Sequence, residues 1–395
     1  MSKASHLLDP HLERLAGIEP TVMPVISLYL DTQPDQHGRD HFEPFVRKAF
    51  ASQVETYGLR TETREGFEEV AGRMRSYLRD EVRTSTNSVV IFARAGEDSF
   101  FEPMQFDVPL DDGHLVVSSQ AYLYPLARLR DQHDRYAALI VDTHSARLYV
   151  FELGRRLDSA EVESPKLSRT QAGGWSQARN QRHVDNVQLH HGKDVVEALD
   201  RLVREKQVER IVLAGERVIM PELLRQLPAA LVDHVIEASG LDMHASENDV
   251  MRVTSEIVHE EDAKEDRSEV ARLLDEQRRG GLGAVGAGAV LAALDQGQVD
   301  QLLIAASLRD LDDDHNGDSA DESSTAFEAM IAENSGQTNP RQAWLANELV
   351  TRAVRTRARI RFIEDVALLA SAGGVGGRLR YRFDMRQPVM EGEQK

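Results

Sequence analysis

The sequence predicts an α/β (α+β) protein built as three consecutive α/β domains. Short β-branched runs alternate with stretches whose apolar residues recur three and four apart. The length, 395 residues, suits two or three domains at roughly 100–200 residues each. A polar stretch, LRDQHDR (129–135), reads as a linker between the first set of elements and the second. Hydrophobic residues at 41% and charged residues at 29% suit a globular core, not a disordered tail.

In the first domain (1–130) a helical opening leads into the strand MPVISLYLDT (23–32). Helices follow at about 41–57 and 62–83, then strands SVVIFARA (88–95), a short segment ending QFDVPL, and HLVVSSQAYLYPL (114–126). The second domain (131–262) opens with strands YAALIVDT (136–143) and ARLYVFELG (146–154), joined by DTHS, whose side chains hydrogen-bond locally in turns. A polar segment, 164–194, becomes helical in its latter half and continues through VVEALDRLVREKQV. RIVLAGE (210–216) has the apolar run of a buried strand, and 221–238 is expected to be one helix with Pro221 near its first turn. The third domain (263–395) continues a charged helix (261–280) into a small-residue helix (284–296) and the strand VDQLLIAASL (299–308). Residues 310–322 hold seven acids and read as a solvated loop. A helix beginning PRQAWLANELV, the strand ARIRFIED, a turn ASAGGVGG and the strand RLRYRF complete the chain.

Composition excludes several chemistries. With no cysteine there is no disulfide framework, thiol nucleophile, thiolate zinc site or thiolate-bound iron–sulfur cluster. A net charge of −19 argues against a general nucleic-acid coat, because like charge repels phosphate, although a local basic surface would still bind RNA. The charged first thirty residues do not form a secretory signal, and GAVGAGAVLAAL (283–294) is too short to span a bilayer, so a cytoplasmic location is expected.

Gly281, Gly283 and Gly286 spell a dinucleotide fingerprint, but a helical sequence precedes them where a strand is needed, and close helix packing is the simpler reading. His183, His190 and His191 share one helix without a further ligand at suitable spacing, so they read as a solvated or RNA-facing cluster. The acidic run lacks the closing glutamate of a calcium loop. No metal and no cofactor are expected.

Two basic regions remain. Within 165–193, Lys166, Arg169, Arg179, Arg182 and Lys193 face a single acid, Asp185. Gly173 and Gly174 at the middle let the backbone approach a partner closely, and Trp175 can stack on a base. A flexible connector with its tryptophan folded back on the domain is the equal alternative. The second cluster holds Arg352, Arg355, Arg357, Arg359, Arg361, Arg378, Arg380 and Arg382. Alternate arginines on adjacent strands would share a face and serve the structure or a protein partner, with phosphate the less favoured target.

Three stretches resemble the bacterial branch of the archaeo-eukaryotic class I release factor and Pelota superfamily. YAALIVDTHSARLYVFELG resembles the start of its middle domain, and KLSRTQAGGWSQARNQRHVDN the loop and helix bearing its Gly-Gly-Gln tip. RIRFIED with SAGGVGGRLRYRF resembles its C-terminal closing strands. The resemblance covers about 136–385. It implies a ribosomal partner, with the loop residues Lys166, Arg169, Gly173, Gly174, Trp175, Ser176, Gln177, Arg179 and Arg182 facing rRNA near the peptidyl-transferase centre. The first domain would approach the decoding centre. The surface of Arg357, Arg359, Arg361, Arg378, Arg380 and Arg382 would meet a translational GTPase such as elongation factor Tu, or the stalk base. Trp175 stands where the hydrolytic glutamine is expected, and the family's codon-reading motifs have no counterpart. The resemblance therefore implies a 70S A-site binder for hibernation or stress, with neither DNA nor membrane as partner. The alternative is a ribosome-rescue peptidyl-tRNA hydrolase using Gln177 and Arg179.

Overall fold

The computed structural model describes residues 6–33, 42–56, 61–110, 113–163, 177–312 and 339–382. Their contacts form two compact units. The first contains Met1–His11, Val22–Leu115 and Leu129–Lys264; the second contains Leu12–Thr21, Val116–Arg128 and Glu265–Lys395. Three sheets lie in the three successive thirds of the sequence.

The first sheet has the order β3-β2-β1-β4, from β1 (Val25–Asp31), β2 (Ser88–Arg94), β3 (Phe100–Phe106) and β4 (His114–Ser118). The central strand β2 is buried along its whole length and pairs antiparallel with β1 and β3. Helices α2 (Phe42–Thr56) and α3 (Thr61–Asp80), which follow α1 (Asp9–Ala16), add Phe50, Phe67 and Met74 to the core. The stretch expected to be a linker is instead the end of α4 (Tyr124–Gln132). Leu126 and Leu129 are buried on its inner side, and that apolar anchoring outweighs the polar run around Leu129.

The second sheet has the order β7-β6-β5-β8-β9. β5 (Tyr136–Val141) is fully buried between β6 (Ser145–Glu152), antiparallel, and β8 (Arg210–Gly215), parallel. Parallel strands covered on both faces require such a continuous apolar run. One face packs on α5 (Gln177–Lys206) and α6 (Met220–Gln226) through Leu139, Leu199 and Leu223. The other receives Val250 and Val258. Two elements differ from expectation. β7 (Arg155–Glu163) extends the sheet beyond β6. The single helix expected over 221–238 is broken into α6, α7 (Ala229–Val232) and β9 (Val235–Ala238), because Pro228 lies extended between the helices and Val235 and Ile236 pair with β8.

In the second unit the sheet order is β10-β13-β11-β12. β11 (Val299–Ala305) lies between β12 (Arg359–Ile363), parallel, and β13 (Val375–Leu379), antiparallel. The small-residue helix is preceded by a short strand, β10 (Gly283–Val285); Gly286 then turns the chain at φ 84° into α9 (Ala287–Asp295). Gly283 sits so close to the end of α8 (Glu247–Arg278) that a Cβ would fall 2.6 Å from the Gln277 amide nitrogen. Gly376 and Gly377, expected in a turn, lie inside β13. The turn itself is Gly373-Gly374: Gly374 has φ +77°, and a Cβ there would sit 2.0 Å from the Asp310 carbonyl oxygen. Asn347, on α10 (Pro340–Arg355, the element after α9), holds the segment 121–123 like a paired strand. Its Oδ1 accepts from Leu123 N at 2.7 Å and its Nδ2 donates to Ala121 O at 3.1 Å. Tyr124 donates to the Ala306 carbonyl at 3.0 Å, and burial pushes its phenol well above the ordinary range.

Candidate functional site

The candidate site centres on α5, whose 30 residues span about 45 Å at 1.5 Å per residue. Its described anchoring side chains lie in the second half. Val195, Val196, Leu199, Leu202 and Val203 recur at helical spacing and are buried against the second sheet, whereas Leu189 and His190 are exposed. Among residues 186–206, whose side chains are described, the buried stripe begins at His191.

Gln177, Arg179 and Arg182 lie in the first two turns of this helix. The first turn contains no acidic residue. Lys166, Arg169, Gly173, Gly174, Trp175 and Ser176 lie outside the described residues, and so does most of the acidic run after Asp312.

The histidines part company. His190 is exposed, but His191 is 1% exposed, which corrects the reading of a solvated cluster. Its register explains this, since it stands four residues before Val195 on the buried stripe. Neither ring nitrogen makes a well-formed hydrogen bond, although the backbone of Ser145 and Asp142 lies near, and burial lowers its proton affinity. Among the described residues no group of three or more His, Asp or Glu is placed to hold a metal ion.

The C-terminal arginines are not on adjacent strands, because β11 separates β12 from β13, and Arg359 and Arg378 both stand opposite Gln301. Arg359 and Arg378 converge on Asp300 at 2.7 and 3.3 Å. Arg361 binds Asp266 at 2.5 Å and Glu265 at 3.1 Å, and Arg378 also reaches Glu269 at 3.2 Å. Arg380 donates to the Arg357 carbonyl at 3.0 Å, and Arg382 to the Gly280 carbonyl at 2.5 Å. Arg352 grips Asp295 with two hydrogen bonds, and Arg355 donates to the Ala16 carbonyl. Arg357 is exposed, at φ +54°. The acids that meet these arginines come mainly from α8 and β11, at sequence separations that no local pattern exposes.

Residues 122–279 match the family model described as Bacterial archaeo-eukaryotic release factor family 10. The uncharacterized protein YocB of Bacillus subtilis (strain 168) is 24% identical over 208 residues, covering 49% of this chain and 78% of that protein. Among solved structures, the archaeal translation termination factor aRF1 aligns over 94% of this chain and 98% of its own at 16% identity and TM-score 0.25. Pelota, from a model of ribosome-bound archaeal Pelota and ABCE1, aligns over 97% and 96% at 14% identity and TM-score 0.41. Dom34 of S. cerevisiae, a translation termination-like factor, aligns over 75% and 80% at 9% identity and TM-score 0.41. No described helix is long and apolar enough to cross a membrane. The matched segment runs from α4 to the end of α8 and includes both the Gly-Gly-Trp stretch and α5; over this span the chain is similar to the bacterial archaeo-eukaryotic release factors.

Proposed function

We propose that the protein is a ribosome-binding translation factor that occupies the A site without decoding a stop codon and protects idle ribosomes, in the manner of the hibernation factor Balon, which it resembles. The observation that carries this reading is the tip of the loop. Within the segment shared with the release factors, Trp175 follows Gly173-Gly174 where a glutamine would be expected to orient water at the peptidyl-tRNA ester. An indole cannot do this, and small errors of placement are expensive in such chemistry. It offers instead a flat apolar face for stacking on an rRNA base, while Lys166, Arg169, Arg179 and Arg182 supply phosphate contacts. The C-terminal arginines contribute a domain whose charges are largely matched internally, with elongation factor Tu as a candidate escort.

A second reading has one specific support. Gln177 is the first residue of α5, whose first turn has no acidic residue, and in this reading it and Arg179 act on an ester in ribosome rescue.

Co-sedimentation of the full chain with vacant 70S ribosomes across a salt series tests the proposal. Binding should fall steeply with salt, and Trp175→Ala should weaken it about tenfold, within the ~1–3 kcal/mol of one stacked base. Failure to sediment at low salt, with or without elongation factor Tu, overturns it. Cleavage of peptidyl-tRNA that disappears in Gln177→Ala transfers the function to the second reading.

A further inference from the structure

At residues 189–192 of α5, three features coincide. His191 is buried beside the β5–β6 turn formed by Asp142–Ser145, whose backbone approaches the ring without a well-formed hydrogen bond to either nitrogen. Gly192 follows it in the helix interior, where glycine is less favourable than alanine by about 1 kcal/mol. It lies close to α6: a Cβ there would be 3.2 Å from Gln226 Nε2. That amide nitrogen also donates to the Leu189 carbonyl at 3.3 Å, intruding on the helix's own hydrogen-bond ladder.

We propose that His191 and Gly192 form a proton-sensitive pivot that holds the first half of α5 in register while the imidazole is neutral and releases it when the imidazole is protonated.

The surroundings explain the sign. Burial disfavours the imidazolium and is the largest influence. Backbone groups of Ser145 and Asp142 and the carboxylates of Asp142 and Asp194 oppose it without cancelling it. Asp142 cannot swing to meet a new cation, because it already accepts from His144 N and Ser145 N at 2.7 Å each and from Ser145 Oγ at 3.1 Å. On α6 the charges are engaged with each other, Arg225 with Glu222 at 2.7 Å. A proton on His191 is therefore only partly compensated by these groups, and opening the pivot to water is the available relief. The valines and leucines from Val195 onward keep the second half of the helix in place.

Hydrogen exchange of the full chain, corrected for intrinsic rates, reads the pivot directly. Between pH 7.5 and 5.5 the opening of amides 188–194 should rise toward a limit of about tenfold, the ratio for an opened histidine with its ordinary proton affinity. Amides 198–204 should not follow. His191→Leu and His191→Gln, which cannot titrate, should each flatten the response; agreement between them guards against a packing defect in either. A flat wild-type profile, or a response retained in both variants, overturns the pivot.

The consequence for ribosomes rests on the function proposed above. Binding should weaken between pH 7.5 and 5.5 for the wild type but not for His191→Leu. If exchange responds while both proteins bind equally at both pH values, the coupling of pivot to ribosome is wrong. If neither protein binds at any pH, the ribosomal function fails while the exchange result still decides the pivot.

Discussion

Glu152 and Asp300 each gather several positively charged or N–H donor groups, and they do so in opposite surroundings. Glu152, at the end of β6, is 1% exposed. Its Oε2 accepts from Arg135 Nη2 at 2.9 Å, and its Oε1 from Leu7 N at 2.9 Å, with His6 Nε2 at 3.3 Å. Asp300 on β11 is 36% exposed while meeting Arg359, Arg378 and, at 3.9 Å, Arg380. Counting partners makes the sites look alike. The dielectric makes them different: a buried carboxylate needs every partner it has, whereas water can replace those of an exposed one.

The largest effect therefore belongs to Glu152→Ala. It removes the carboxylate that meets the Arg135 guanidinium, which is 14% exposed and keeps the Lys206 carbonyl, and it leaves the Leu7 amide without this acceptor; it should destabilise the first unit by about 3 kcal/mol in urea unfolding. A loss below about 1 kcal/mol would show that water reaches the site and would break the contrast with Asp300. His6 does not make this pair a pH sensor of the usual sign. Burial outweighs the pull of Glu152 and holds His6 below its ordinary value, so the imidazole is neutral when folded and is no strong cation for the carboxylate.

Asp266→Ala sharpens the comparison at an intermediate point. The side chain is 8% exposed and holds Arg361, itself 17% exposed. The arginine keeps Glu265 at 3.1 Å as a second acceptor, so the expected loss is about 1.5–3 kcal/mol, between those of the other two carboxylates.

None of these differences was visible in the sequence. Glu152 ends the strand ARLYVFELG, where a glutamate ordinarily marks the return to solvent, and its partners Leu7 and Arg135 are 145 and 17 residues away. What the sequence did reveal were elements whose local pattern and tertiary packing agree, such as β5 with its unbroken apolar run and α10 with its apolar stripe. It misled where packing overrode the pattern. Leu129 buries a helix inside a polar run, Pro228 frees Val235 to join a sheet, and Gly286 ends a strand concealed among small residues. In the candidate site, the basic loop and its tryptophan could be singled out because charge and glycine content are local properties, although Lys166–Ser176 lie outside the described residues. The burial of His191 could not, because a histidine on a buried stripe has the same composition as one on an exposed face; only its four-residue step to Val195 was a clue.

Asp300→Asn gives the smallest effect and the sharpest test of cause. Burial alone would raise its proton affinity, but the hydrogen bonds and charges of Arg359 and Arg378 outweigh it and hold the carboxyl below its ordinary value. The folded state thus favours the ionised form more than the unfolded chain does. Its contribution is present above the unfolded value of 3.8 and disappears as pH falls below it. With more than a third of the side chain in water, that contribution should be under about 1 kcal/mol at neutral pH and shrink with added salt. The substitution should lower the urea midpoint of the second unit slightly at pH 7 and converge with the wild type in acid. A loss that persists unchanged in acid or in high salt would mean that Asp300 acts by shape and hydrogen bonding, and that exposure is not what separates it from Glu152.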